Sequence, residues 1–144
     1  MARVRIVLDT NVVLSALLWR GTPYHLLAAI AQGSSAQIYS STALLEELAD
    51  VLTRPSATKR LGVIGKTARE VLADYVEAIE LVEPTRVPRA VAGDADDDQV
   101  IAAAITAHAD LFVSGDRKHL LPMGSHQGID IIDAAEALRL IASR

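Results

Sequence analysis

Short β-branched runs alternate with longer segments of helical periodicity along this chain, and that alternation limits its fold more than any other feature. Val4–Leu8 reads as a strand that stops at Asp9. Val12–Trp19 follows directly, with the apolar face and length of a helix. Arg20-Gly21-Thr22-Pro23 breaks it, and Pro23 is placed to open a second helix over Tyr24–Gln32. Gly33 and two serines stop that helix. Ala36–Tyr39 is a short strand, after which Ser41 or Thr42 caps a helix to about Leu52, ended by Arg54-Pro55. Thr67-Ala68-Arg69-Glu70 has the form of a capping box for a helix to about Ile79. Leu81-Val82 then reads as a strand and Pro84–Gly93 as a loop. Asp94–Asp98 leads into a helix over Gln99–Ala109. Leu111–Val113 and Ile129–Ile132 are the last two strands, and Asp133 caps the final helix.

Strands alternating with helices imply an α/β fold, with a central parallel sheet of about five strands and helices on both faces. The 144 residues, 51% of them apolar, suffice for one such domain, expected to span 1–144. In folds of this kind ligands bind outside the carboxyl ends of the strands. Two of the candidate strands run into an aspartate there, Asp9 and Asp116. Apolar stretches such as Ala102–Ile105 fall far short of the ~18 residues that span a bilayer. Asp9 and Asn11 interrupt the hydrophobic region a signal peptide would need. A soluble cytoplasmic protein with no membrane partner is the expectation.

Asp9 sits where a strand stops and a helix begins, so it could be a simple helix cap. Asn11 could equally be that cap, or a partner that holds the Asp9 carboxylate. On the third helix the apolar stripe is Leu44, Leu45, Leu48, Val51 and Leu52. At roughly 100° per residue, Glu47 lies at the edge of this stripe and Glu46 nearly opposite it. Glu47 is therefore the acid that could lean towards the sheet edge. Gly93-Asp94-Ala95-Asp96-Asp97-Asp98 places four carboxylates in five residues. One acid suits the dipole of the following helix; four exceed that need. Asp116, in Ser114-Gly115-Asp116-Arg117-Lys118, could belong to an ordinary turn.

Taken together, Asp9, Glu47, Asp98 and Asp116 are carboxylates from four separate elements that could meet at one sheet edge. Carboxylates do not gather without a counter-charge, and hard divalent cations, Mg²⁺ or Mn²⁺, supply it through oxygen ligands. The chain has no cysteine and no histidine pair at helical spacing, which disfavours zinc. The chemistry natural to such a site is metal-assisted attack of water on a phosphodiester.

Four segments carry a family pattern in order: Val7-Leu8-Asp9-Thr10-Asn11-Val12, Leu44-Leu45-Glu46-Glu47-Leu48, Asp94–Asp98 followed by Ile101-Ala102-Ala103, and Val113-Ser114-Gly115-Asp116. They resemble the PIN-domain nucleases, and more narrowly the branch grouped with the toxins of type II toxin–antitoxin systems. The resemblance implies a PIN-like three-layer α/β/α fold and an acidic Mg²⁺ or Mn²⁺ site that cleaves RNA. It carries metal-binding and catalytic roles to Asp9, Glu47, Asp98 and Asp116, with Asp96 or Asp97 as a further ligand, and supporting roles to Asn11 and Ser114. It also implies an antitoxin protein as partner. Relatives often carry another acid just after the Asp116 position, where Lys118 and His119 stand here, so Lys118 could contact a phosphate instead.

Eighteen acids against fourteen bases give a net charge of −4, and only five residues are aromatic. By themselves these counts speak against a nucleic-acid partner and against a reader built on aromatic stacking. The bases are unevenly placed, however. Arg54, Lys59, Arg60, Lys66 and Arg69 form a run without an acid. It is either a solvated surface or, with Arg54, Lys59 and Arg60 foremost, a grip on RNA phosphates. Trp19 is expected to cap the core beside the first helix, with a stacking role for RNA the poorer alternative. His108 follows an apolar helix face, the place of a core or boundary histidine. Val71, Leu72, Tyr75 and Ile79 could pack on the core or form the surface of a homodimer.

Competing classes remain. A non-toxin RNA-processing nuclease of the same family shares every motif above. A phosphatase or phosphoryl-acceptor domain would want a second acid beside Asp9, where Asn11 stands. A catalytically silent binding module is disfavoured by the presence of all four acids.

Overall fold

The computed structural model describes residues 3–33, 35–84, 95–118 and 120–142, with the backbone alone described at 95–97. The loop expected over 84–93 therefore lies, apart from Pro84, outside the described residues, as do Asp94, His119 and the side chains of Asp96 and Asp97. The strands are β1 (Val4–Leu8), β2 (Ala36–Ser40), β3 (Ile79–Leu81), β4 (Leu111–Val113), β5 (Ser125–His126) and β6 (Ile129–Ile132). The helices are α1 (Thr10–Leu18), α2 (Thr22–Gln32), α3 (Thr42–Val51), α4 (Pro55–Ile64), α5 (Ala68–Ala78), α6 (Ala95–Thr106) and α7 (Ala134–Ala142). The six strands make one sheet in the order β3-β2-β1-β4-β6-β5, all parallel except the two-residue β5.

Successive side chains of a strand point to opposite faces, and here both faces are covered. Ile6 and Leu8 of β1 join Leu111 and Val113 of β4 in a core built with α1–α5 and α7. Val7, Tyr39 and Phe112 face the other way, against Val100, Ile101, Ala103 and Ala104 of α6. The result is the three-layer arrangement expected of strands alternating with helices.

Several local expectations shift. Pro55 both ends α3 and opens α4, a helix the base-rich run conceals, closed by Gly65 in the left-handed conformation (φ 70°). α6 begins at Ala95 and not Gln99, so its acids form the first turn, where the helix dipole favours them. β3 sits two residues earlier than Leu81-Val82: its Ile79-Glu80-Leu81 alternation falls at the expected end of the preceding helix, and it is an edge strand held by backbone pairing to β2. His108 is an exposed turn residue with φ 51°, not a core histidine. Its N–H donates to Ile105 O and that of Ala109 to Ala104 O, the hydrogen bonds of a Schellman close to α6. Val71 and Tyr75 are buried within the monomer core, so they are not available to a dimer surface.

Candidate active site

Strand order dictates where a site can form. From β1 the chain proceeds to β2 and β3 on one side, then returns to β4 and β6 on the other. The connections thus diverge at the carboxyl ends of β1 and β4, which opens a crevice there. Leu8 is in register with Val113, so the next residues of the two strands, Asp9 and Ser114, meet in that crevice.

Asp9 is 9% exposed. Its Oδ1 accepts from the N–H of Thr10 at 2.8 Å, the first N–H of α1, whereas an ordinary cap serves the second or third. Its Oδ2 accepts from the hydroxyl of Ser114 at 3.0 Å. Ser114 is fully buried, and its Oγ accepts in turn from the N–H of Asp116 at 3.0 Å. The half-buried Asp116 turns its Oδ1 to the N–H of Lys118 at 2.9 Å, closing an Asx turn. Ser114 therefore ties two of the expected acids together.

The other two stand on α3 and α6. A crossover helix runs back antiparallel to its strands, so the first turns of α3 and α6 lie at this same carboxyl edge. Leu44 of α3 and Ile101 of α6 pack in one cluster with Val7. Glu47 lies one turn beyond Leu44, and Asp98 one turn before Ile101, on those packed faces. Asp98 is 2% exposed and Glu47 half-buried, while Glu46 is exposed, as the apolar stripe of α3 predicts. At the start of α3 the carboxylate of Glu83 accepts from both the hydroxyl and the N–H of Thr42. These bonds, the hydroxyl's foremost, lower its pKa below the ordinary value.

Beside Ser114 opens a cleft of about 340 Å³, lined by Asn11, Ser15, Thr22, Ser114, Arg117 and Asp133 among others. Asn11 stands exposed on its wall. Arg117, which the sequence reading passed over in favour of Lys118, lines this cleft with a side chain 80% exposed and a loose contact to Asp133 at 3.7 Å. Its signal was its place one residue after Asp116. Of the bases expected to grip RNA, Arg54 pairs with Asp50 at 3.3 Å and Lys59 is exposed. Arg60 donates to Leu18 O at 2.7 Å, pinning the end of α1.

Buried carboxylates, a hydroxyl and no thiol are the donor chemistry of a hard divalent cation. Among the described residues, no three His, Asp or Glu side chains are assembled closely enough to hold an ion by themselves. The donor set fits such an ion in kind, with Asp9 and Asp98 its most buried members.

An acidic carboxyl edge on a doubly covered parallel sheet places the chain among the α/β domains whose site lies where the strand connections diverge. The family model described as PIN domain matches residues 5–118, a span that holds Asp9, Glu47, Asp98 and Asp116, and the chain belongs to the PIN-domain family. PIN domains are generally nucleases and typically use divalent metal ions. Among solved structures, a chain of the VapBC2 complex from Rickettsia felis, crystallised with a DNA fragment from their promoter, shares the fold. Its TM-score is 0.59 at 13% identity, covering 88% of this chain and 96% of that one. No curated protein matches the chain significantly.

Proposed function

We propose that this protein is a metal-dependent endoribonuclease that hydrolyses RNA phosphodiester bonds. The observation that carries the reading is the Asp9–Ser114–Asp116 hydrogen-bond chain at the β1/β4 crevice, in a chain of the PIN family. Asp9, Glu47, Asp98 and Asp116 would hold Mg²⁺ or Mn²⁺, with Asp96 or Asp97 as a further ligand. When bound, such an ion polarises a phosphoryl oxygen and lowers the pKa of a coordinated water to within reach of neutral pH. The chain's own contribution is orientation. Ser114 fixes the rotamer of Asp9 and the turn that presents Asp116, as supporting hydrogen bonds do around ligating carboxylates generally. Burial of Asp9 and Asp98 keeps bulk water from screening the charge they offer. Arg117, long and weakly held, is placed to meet a backbone phosphate in the cleft.

The fold shared with a chain of a VapBC2 complex supports a second step: that this nuclease is the toxin of a toxin–antitoxin pair, held in check by an antitoxin protein. Purified protein is expected to cleave RNA with Mg²⁺ or Mn²⁺, and EDTA or Asp98→Asn to abolish the cleavage. Cleavage that survives Asp9→Asn combined with Asp98→Asn sinks the site assignment. For the toxin reading, expression should arrest growth, and a short open reading frame beside the gene should relieve the arrest when co-expressed. Growth unaffected by the active nuclease refutes it.

A further inference from the structure

Of the five aromatic side chains, Tyr39, Tyr75 and Phe112 are buried. The other two, Trp19 and Tyr24, flank the turn between α1 and α2; Trp19 is 43% exposed, not a cap on the core, and Tyr24 is half-buried. Each is paired with a guanidinium. Arg60 lies over the Trp19 ring at 5.6 Å, and Arg20 lies over the Tyr24 ring at 4.8 Å and donates to its hydroxyl at 3.0 Å. His25 meets Tyr24 edge-on at 5.4 Å. No acid occurs between Asp9 and Glu46, and none between Arg54 and Arg69, so α1, α2 and α4 carry no acidic side chain. The acids near the turn are Asp74 of α5, which lines a cavity with Tyr24 and Lys66, and Asp133, which lines the cleft with Thr22 and Pro23. Thr22, two residues from Tyr24, lines the cleft with Ser114, so the aromatic turn borders the acidic crevice.

We propose that Trp19, Arg20, Tyr24 and Arg60 form a stacking platform for single-stranded RNA, leading the strand into the Asp9–Ser114 crevice. The proposal rests on the nuclease reading for its direction, but not for the binding itself. Unpaired bases stack on aromatic rings and on guanidinium planes, and a cationic surface holds the backbone between them. Paired bases cannot splay onto such rings, so duplex RNA is excluded from this contact. A low aromatic count does not oppose this reading, because the two rings outside the core flank one turn.

Trp19 is the sole tryptophan, so its emission reports the platform directly. The full chain in EDTA is titrated with a short single-stranded RNA and with its duplex, while anisotropy of a labelled strand follows binding in parallel. Single-stranded RNA should quench Trp19 in step with the anisotropy, and the duplex should bind more weakly without quenching. Tyr24→Ala should weaken binding about tenfold. Arg20→Ala should lower the slope of log affinity against log salt by about one. Absence of binding, binding with unchanged Trp19 emission, or wild-type affinity in both variants overturns the platform. So does self-association of the protein that Trp19→Ala abolishes, since the patch would then be covered by a second copy. Quenching without metal-dependent cleavage keeps the platform and sinks the nuclease reading, and cleavage without quenching does the reverse.

Discussion

Tyr75 offers the sharpest test of the core. Its ring is 2% exposed on α5, packed among residues of the larger core, and its hydroxyl has no hydrogen-bond partner among the described residues. An unsatisfied buried hydroxyl costs about 1–3 kcal/mol, against which the atom returns some dispersion contact. Tyr75→Phe keeps the ring and deletes the orphan, so the variant should be more stable at pH 7 by about 1 kcal/mol, or about 3 °C in Tm. Burial also raises the pKa of the phenol far above its ordinary value. The sign follows from linkage: the folded state binds this proton more tightly than the unfolded state. The contribution is therefore fully present below pH ~10 and is lost as pH rises beyond it, at about 1.4 kcal/mol per unit. By pH 11 the advantage of the Phe variant should have grown to about 2.4 kcal/mol. Urea unfolding of both proteins at pH 7, 9 and 11 measures this difference, and other alkaline titrations common to the two proteins cancel from it. A variant less stable than wild type at pH 7 would reveal a hidden partner, and a difference independent of pH would refute the burial argument.

Two further sites give quantitative expectations. Ser114→Ala removes the donor to Asp9 and the acceptor for the Asp116 N–H, and should cost about 2 kcal/mol, read as a Tm drop of about 5 °C. If Asp9 and Asp116 act as proposed, the same variant should lose about 10- to 100-fold in RNA cleavage, because its ligands lose their orientation. Unchanged Tm and rate would remove Ser114 from the site. At the two left-handed helix ends the signs are opposite: His108→Gly should stabilise by about 0.5–1 kcal/mol, and Gly65→Ala should destabilise by about 1 kcal/mol, both measured by thermal unfolding.

What was legible in the sequence was whatever local chemistry determines. The Thr67–Glu70 capping box is formed in both directions. β1, β4 and β6 fall where their β-branched runs place them, because largely buried strands carry a mostly apolar signal that one polar residue, Arg5 in β1 or Asp130 in β6, does not hide. The amphipathic stripe of α3 separates Glu47 from Glu46 correctly. The rest depends on information a single segment does not hold. Pro55 was visible as a stop, but it is also a start, and only the pairing of Pro55 with Gly65 ten residues on frames α4. β3 and β5 exist through backbone pairing to neighbours distant in sequence. Counting aromatics concealed the surface at Trp19 and Tyr24, because stacking depends on where rings are exposed and not on how many there are. Arg117 was outweighed by Lys118 until the cleft showed which of the two lines it.

The two edges of the sheet show how the same strands yield structure at one end and a site at the other. At the amino edge, the N–H of Arg5 donates to the Asp110 carboxylate, while its guanidinium donates to Ala107 O at 2.6 Å and lies 4.3 Å over Tyr39. These bonds close the turn between α6 and β4 onto β1. At the carboxyl edge, backbone N–H groups and the Ser114 hydroxyl are among the donors that orient Asp9 and Asp116. Register sets the meeting, since Leu8 opposite Val113 brings Asp9 to Ser114, and a slip of one residue would part them. A fold that needed only to cap α1 could do so with one serine. Asp9 and Asp98 are both buried, and under the proposed function their charge is what a divalent cation held by oxygen ligands would balance.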